Sequence, residues 1–331
     1  MKVSRTMLLI GLIVCTFFCS TSGICAQKAI ELSYNSVFPD NMMGGKAQRE
    51  WAAEVIKRAE GRVKINYYPA AQLYTYNPSE TALASGSLDI AQFASQTMVM
   101  SSRVLELPFL FDNFTQAKEF CEKGGLDIIA KEAASSNIKP LYAIPFASHA
   151  GIFKKSVQTI EDVKGMKLRS PTQPHIDWLG TMGAANVSVA VGEVYQALQF
   201  GTIDGVISTA ESMLRRKWYE TVSYFLDNRF GMGVHLVAIN LKRWNSLPDD
   251  IKKIMLEVSK WEQDKLFAAA EASDKDVRSQ LRKNIKNTYV LPPAEIAKWK
   301  EKAEAIWAKW AKQSPAHQEA LDLAKKITKD K

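Results

Sequence analysis

The feature that most constrains this chain is a short unit that occurs twice. Ala82-Leu83-Ala84-Ser85-Gly86-Ser87-Leu88-Asp89-Ile90-Ala91 is echoed by Ala197-Leu198-Gln199-Phe200-Gly201-Thr202-Ile203-Asp204-Gly205-Val206. Each reads as a helix ended by glycine, a turn carrying aspartate, and an apolar strand. Glycine adopts the left-handed conformation at a helix C-terminus without the clash a Cβ would bring, so it stops the helix and turns the chain. The repeat predicts two α/β lobes of related construction. Such lobes leave a crevice where strand ends and loops meet, and ligands bind there.

The rest of the pattern extends this reading. Strands are predicted over 30–34, 62–69, 88–94, 138–144, 186–189 and 233–240, where apolar and polar residues alternate or apolar runs are bounded by turn residues. Helices are predicted over 45–60, 79–85, 115–135, 172–182 and 194–199, with a polar turn over 147–151. Strands alternating with helices indicate α/β layers, and 331 residues make two domains the default. Leu247-Pro248-Asp249-Asp250 opens a helix with proline in the first turn and acids at its positive end. From there to Lys331 the chain reads as almost wholly helical.

Lys2 and Arg5 precede the apolar run 7–18, small residues follow, and Ala26 suits the last position before cleavage. That order describes a secretory signal over 1–26 and a periplasmic destination. The run is shorter than the roughly 20 residues a membrane anchor needs. Bulky residues before Cys15, Cys19 and Cys25 argue against a lipid anchor, and cleavage would leave Cys121 as the only cysteine. One cysteine makes neither an internal disulfide nor a cysteine metal cluster. Removing Lys2 and Arg5 lowers the formal charge of +8 to +6, much of it in the lysine-rich C-terminal part. A solvated helical surface accounts for this excess better than nucleic-acid binding.

Phosphate-loop, paired-histidine zinc and nucleophile-elbow motifs are all missing from the sequence. Neither catalysis nor a cofactor or metal is expected, and capture of a small ligand by domain closure fits better. Val163-Lys164-Gly165-Met166-Lys167-Leu168-Arg169-Ser170-Pro171 runs from a turn into a short strand that ends on Arg169. Arginine is always charged, and its planar fork matches a carboxylate. Arg169 is therefore the candidate anchor for an anionic ligand.

The run Gly192-Glu-Val-Tyr-Gln-Ala-Leu-Gln-Phe-Gly-Thr-Ile-Asp-Gly205 closely resembles the hallmark of solute-binding proteins of tripartite ATP-independent periplasmic (TRAP) transporters, the DctP-like family. Tyr68-Pro69-Ala70-Ala71-Gln72-Leu73, Leu107-Pro108-Phe109-Leu110-Phe111, the segment ending on Arg169, and Lys217-Trp218-Tyr219-Glu220 resemble its other blocks, in order and spacing, over roughly 30–265. The resemblance implies a two-lobed periplasmic binding protein fold with a long bridging helix and a helical C-terminus. It implies a first lobe of 27–148 plus about 233–265, a second of about 149–232, a bridging helix over about 248–287, and C-terminal helices over 288–331. It further implies a monomer that captures a small organic acid anion and delivers it to the small and large membrane subunits of an ion-driven transporter. A same-fold protein serving a sensor or an ATP-driven importer is the alternative; an exported hydrolase is a more remote one.

Arg169 falls on the arginine that pairs with the ligand carboxylate in this family. The chain departs from the pattern at other positions. His149 matches a second arginine, Ser208 a cleft asparagine, Val191 an aromatic, and Ala210-Glu211 a Trp-Glu pair. These changes predict a roomier, less cationic pocket suited to a monocarboxylate with a bulky remainder, an aromatic one included. Further cleft candidates are Phe38, Tyr74, Phe93, Ser170, Phe230 and Met232. Glu211 is expected either to accept from a ligand hydroxyl or to pair with Arg215 or Lys217.

Overall fold

The computed structural model describes residues 28–93 and 98–329. The export signal expected over 1–26 lies outside them. The chain opens with β1 (Ile30–Asn35), α1 (Met43–Arg58), β2 (Val63–Tyr68), α2 (Tyr76–Ser85) and β3 (Ile90–Phe93). A 3₁₀ turn over Met100–Glu106 leads to α3 (Phe114–Phe120), α4 (Leu126–Ser135) and β4 (Ile138–Phe153). Next come β5 (Lys167–Arg169), α5 (Gln173–Thr181), β6 (Ala185–Asn186), α6 (Val194–Gln199), β7 (Gly205–Thr209), α7 (Ala210–Arg215), β8 (Tyr224–Leu226) and β9 (Met232–Asn240). The chain ends with α8 (Leu241–Asn245), α9 (Asp249–Asn284), β10 (Asn287–Tyr289), α10 (Pro293–Ala311) and α11 (Pro315–Lys329).

The strands line up in the order β2-β1-β3-β9-β4-β7-β5-β6. In one half, β2, β1 and β3 are parallel and β9 runs antiparallel to β3. In the other, β7, β5 and β6 are parallel. One strand serves both halves: β4 pairs with β9 over its first part and with β7 and β8 over His149–Phe153 and Gly151–Phe153. Each half has its own apolar core. Leu32, Trp51, Val55 and Ile239 belong to the first, Ile152, Val206, Trp218 and Phe225 to the second. The 36-residue α9 gives Met255 and Val258 to the first core and Val277 and Leu281 to the second, and so spans both lobes.

The repeated unit closes each lobe in the same way. Gly86 and Gly201 take φ of 83° and 76°. The aspartate that follows each glycine then ties its turn to a neighbouring parallel strand. The Asp89 carboxylate accepts from the Ser33 backbone N–H of β1 at 2.8 Å, and the Asp204 carboxylate from the Lys167 N–H of β5 at 2.8 Å. The second of these bonds positions the strand that carries Arg169.

Three sequence expectations change. The polar stretch 147–151 is part of β4 rather than a turn. Ser148 is satisfied inside the fold: Asp274 of α9 accepts from its N–H at 2.9 Å and from its hydroxyl at 2.8 Å, and Arg278 donates to Asp274 and Asp227. The helix expected over 115–135 is two, because Gly124 at φ 110° breaks it. The C-terminal part is interrupted by β10, which pairs with β8.

Candidate ligand-binding site

A cavity of about 510 Å³ lies where the two halves of the sheet meet. Arg169, the last residue of β5, is only 7% exposed and reaches its wall. Its Nε donates to the Val189 carbonyl at 3.2 Å, its Nη1 is buried without a partner, and it makes no ion pair among the described residues. Burial, with repulsion from Arg216, lowers its pKa to about 10, so it stays charged at neutral pH. His149 sits on β4 beside Thr209 of β7, its ring 4.4 Å from that of His175. Burial first, and then His175, holds its pKa well below the ordinary value, and its Nδ1 has no partner. Ser208 on β7, Val191, and Phe38 after β1 also line the cavity.

Among the wall residues that sequence reasoning missed, four carry ionisable groups. Arg216, one residue past α7, has a buried Nε without a partner; it sits in an Arg-Arg-Lys run that reads as solvated. Tyr76 opens α2, and its phenol is pushed up to about 12 by burial. His235 on β9 stacks on Phe38 with ring centroids 5.5 Å apart, and burial takes it down to about 3. Glu106 ends the 3₁₀ turn just before the apolar Leu107–Phe111 knot that drew attention away from it. Burial pushes its carboxyl up to about 8 against the pull of Arg103. The 3.7 Å approach of His235 Nε2 to the Glu106 carboxyl is therefore a contact between two neutral groups, not an ion pair.

Other expected residues lie away from the wall. Phe93, Phe230 and Met232 are buried in the core beneath α10 and α11; Phe230 stacks on Trp299 at 5.4 Å. Tyr74 is held by its backbone, whose carbonyl accepts from Asn35 at 2.9 Å, and packs on the same core. Ser170 is buried next to Arg169 without lining the cavity. Glu211 pairs with neither Arg215 nor Lys217; it accepts the first N–H of α1, from Met43, at 3.2 Å. That orphan donor at a helix start explains where the carboxylate goes. The expectation of a less cationic pocket is corrected too: position 149 is neutral, but Arg216 brings a second guanidinium to the wall.

Three buried polar atoms without a partner among the described residues lie together at this cavity. Arg169 Nη1, Arg216 Nε and His149 Nδ1 all belong to wall residues. Buried polar groups are normally bonded, so a cluster of orphans marks where an external group completes the set. Two guanidiniums close enough to repel each other call for an anion between them. Among the described residues no cluster of three or more His, Cys, Asp or Glu could hold a metal ion.

The family model for bacterial extracellular solute-binding proteins, family 7 (DctP), matches residues 34–313. The chain belongs to that family. It is 25% identical over 309 residues to the C4-dicarboxylate-binding periplasmic protein DctP of Rhodobacter capsulatus, covering 88% of this chain and 89% of the relative. A longer uncharacterised protein of Sinorhizobium fredii is 29% identical over 207 residues, which cover 61% of this chain and 36% of that protein. Two solved TRAP solute-binding proteins share the fold of this family 7 chain. One, from a marine metagenome and specific for pyroglutamate, gives a TM-score of 0.81 at 21% identity, covering 90% of this chain and 99% of its own. The other, from Rhodoferax ferrireducens with bound malonate, gives 0.80 at 22%, covering 90% and 98%. The expected two-lobed periplasmic-receptor fold with its long helix is therefore present, in a family of TRAP receptors rather than enzymes.

Proposed function

We propose that this family 7 protein is a periplasmic receptor that captures a small organic acid anion between its lobes and delivers it to the two membrane subunits of a TRAP transporter. The observation that carries the reading is Arg169: a charged guanidinium, 7% exposed, facing a cavity with a donor unused and no ion pair to a carboxylate among the described residues. A ligand carboxylate between Arg169 and Arg216 removes both the missing bond and the mutual repulsion. Neutral His149 and the Ser208 hydroxyl add hydrogen bonds, while Phe38 and Val191 shape the wall around the remainder. In this reading the first lobe comprises 27–148 with about 233–265, the second about 149–232, and the receptor acts as a monomer. The cleft closes because only the closed form contacts the ligand from both lobes.

The test is a thermal-shift screen of the signal-free chain against monocarboxylates, keto acids, aromatic acids and dicarboxylates. Selective binding to the folded state raises Tm by mass action. At least one acid is expected to give a concentration-dependent rise that neutral sugars and amines do not. A screen in which no acid stabilises the protein overturns the receptor reading.

A further inference from the structure

Resting on that reading, the cavity also bears on the end of the ligand away from its carboxylate. Glu106 is a carboxyl on the wall, only 3% exposed, that accepts no hydrogen bond and makes no ion pair with lysine or arginine among the described residues. An ionised carboxylate in the same cavity would repel the anion that Arg169 and Arg216 attract. A protonated one would instead offer an O–H donor. We infer that Glu106 binds as a neutral carboxylic acid and donates a hydrogen bond to an uncharged acceptor oxygen of the ligand. The ligand is then a monocarboxylate whose remainder carries a carbonyl, lactam or hydroxyl oxygen.

The groups around Glu106 support this assignment. His235 on β9 approaches to 3.7 Å, Tyr76 lies on α2, and Arg103 is on the same 3₁₀ turn; Arg169, Arg216 and His149 occupy the rest of the wall. His235 titrates near 3 and His149 well below its ordinary value, whereas Tyr76 and Arg169 titrate near 12 and 10. Burial raises Glu106 to about 8, so it carries its proton at neutral pH and loses it on mild alkalinisation. The sign follows. A ligand that needs the protonated form binds with constant affinity below about pH 8 and progressively more weakly above it. A neutral carboxyl kept as a donor by an apolar site is established chemistry elsewhere.

The experiment is isothermal titration calorimetry of the signal-free protein with two matched pairs: pyroglutamate against cyclopentanecarboxylate, and 4-oxopentanoate against pentanoate. At pH 7 at least one oxygenated acid is expected to bind about tenfold or more tightly than its partner, since the partner leaves the buried O–H unpaired. For that acid Kd should rise between pH 8 and 9, approaching tenfold per pH unit. In Glu106→Gln, whose amide still donates, Kd should stay within about fivefold at pH 7 and the pH dependence should vanish. A flat wild-type profile overturns the inference, as does an unchanged slope in Glu106→Gln, which would trace it to Arg169. So does equal binding within both pairs. Failure of the wild-type protein to bind any acid overturns the receptor reading instead.

Discussion

On one side of the cavity, β5, β7 and the turn after α7 present Arg169, Ser208 and Arg216; on the other, the β1–α1 loop, α2, the 3₁₀ turn and β9 present Phe38, Tyr76, Glu106 and His235. The first wall carries fixed positive charge whose bonds its own chain leaves incomplete. The second carries an aromatic stack and groups that burial keeps uncharged at neutral pH. Burial is common to both walls, yet its electrical outcome differs by residue type. Arginine starts far enough above neutrality that a fall to about 10 leaves it ionised, whereas glutamate and histidine cross into neutrality. The two walls thus divide the work. On the proposed reading one reads charge, the other reads shape and uncharged polarity, and a ligand must satisfy both to hold the lobes together.

The largest test of this division is Arg169→Ala. It should weaken acid binding by about 2–5 kcal/mol, the range for removing one partner of a buried charged pair, as measured by calorimetry. Wild-type affinity in that variant would erase the distinction between the walls. Arg216→Gln should cost less, about 1.5 kcal/mol, because the group is half-buried and shares the anion. An effect as large as that of Arg169→Ala would make the charged wall a symmetric clamp. The smallest effect is expected for Ser208→Ala, about 0.5–1 kcal/mol for one neutral hydrogen bond, visible as a modest rise in Kd with unchanged Tm of the ligand-free protein. A larger loss would mean that the charged wall also reads uncharged groups.

The charged wall was more legible in the sequence than the neutral one. Arg169 ends a strand signalled by a turn and a Ser-Pro stop, and the Gly201-Asp204 turn that holds that strand repeats the Gly86-Asp89 turn of the other lobe. Local patterns of this kind are set by backbone chemistry and survive without knowledge of the tertiary structure. Glu106, Tyr76 and His235 come from three separate elements, and each looks like ordinary core or surface until the sheet brings them together. Phe93 and Phe230 show the converse. An aromatic near a strand end can face the helices as readily as the cleft, and here the tryptophans of α5 and α10 supply the packing. Ser148 and His149 misled for a related reason. Polar residues in a row suggest a turn, but the Asp274 carboxylate of α9 holds Ser148 and the neighbouring strands pair the backbone of both within β4.

That shared strand has a mechanical side. Sixteen residues of β4 run from one half of the sheet into the other, clamped at Ser148 by Asp274 and Arg278, with bulges between Pro140 and Tyr142 and between Pro145 and Ala147. Any closing of the cleft must therefore flex a hydrogen-bonded ribbon rather than swing on a slack linker. Along it, the bulges are the places where the ladder is already broken, and the Ser148 clamp is where α9 fixes the strand. On the proposed closing motion, whatever bending this ribbon resists is work that the ligand's contacts have to supply.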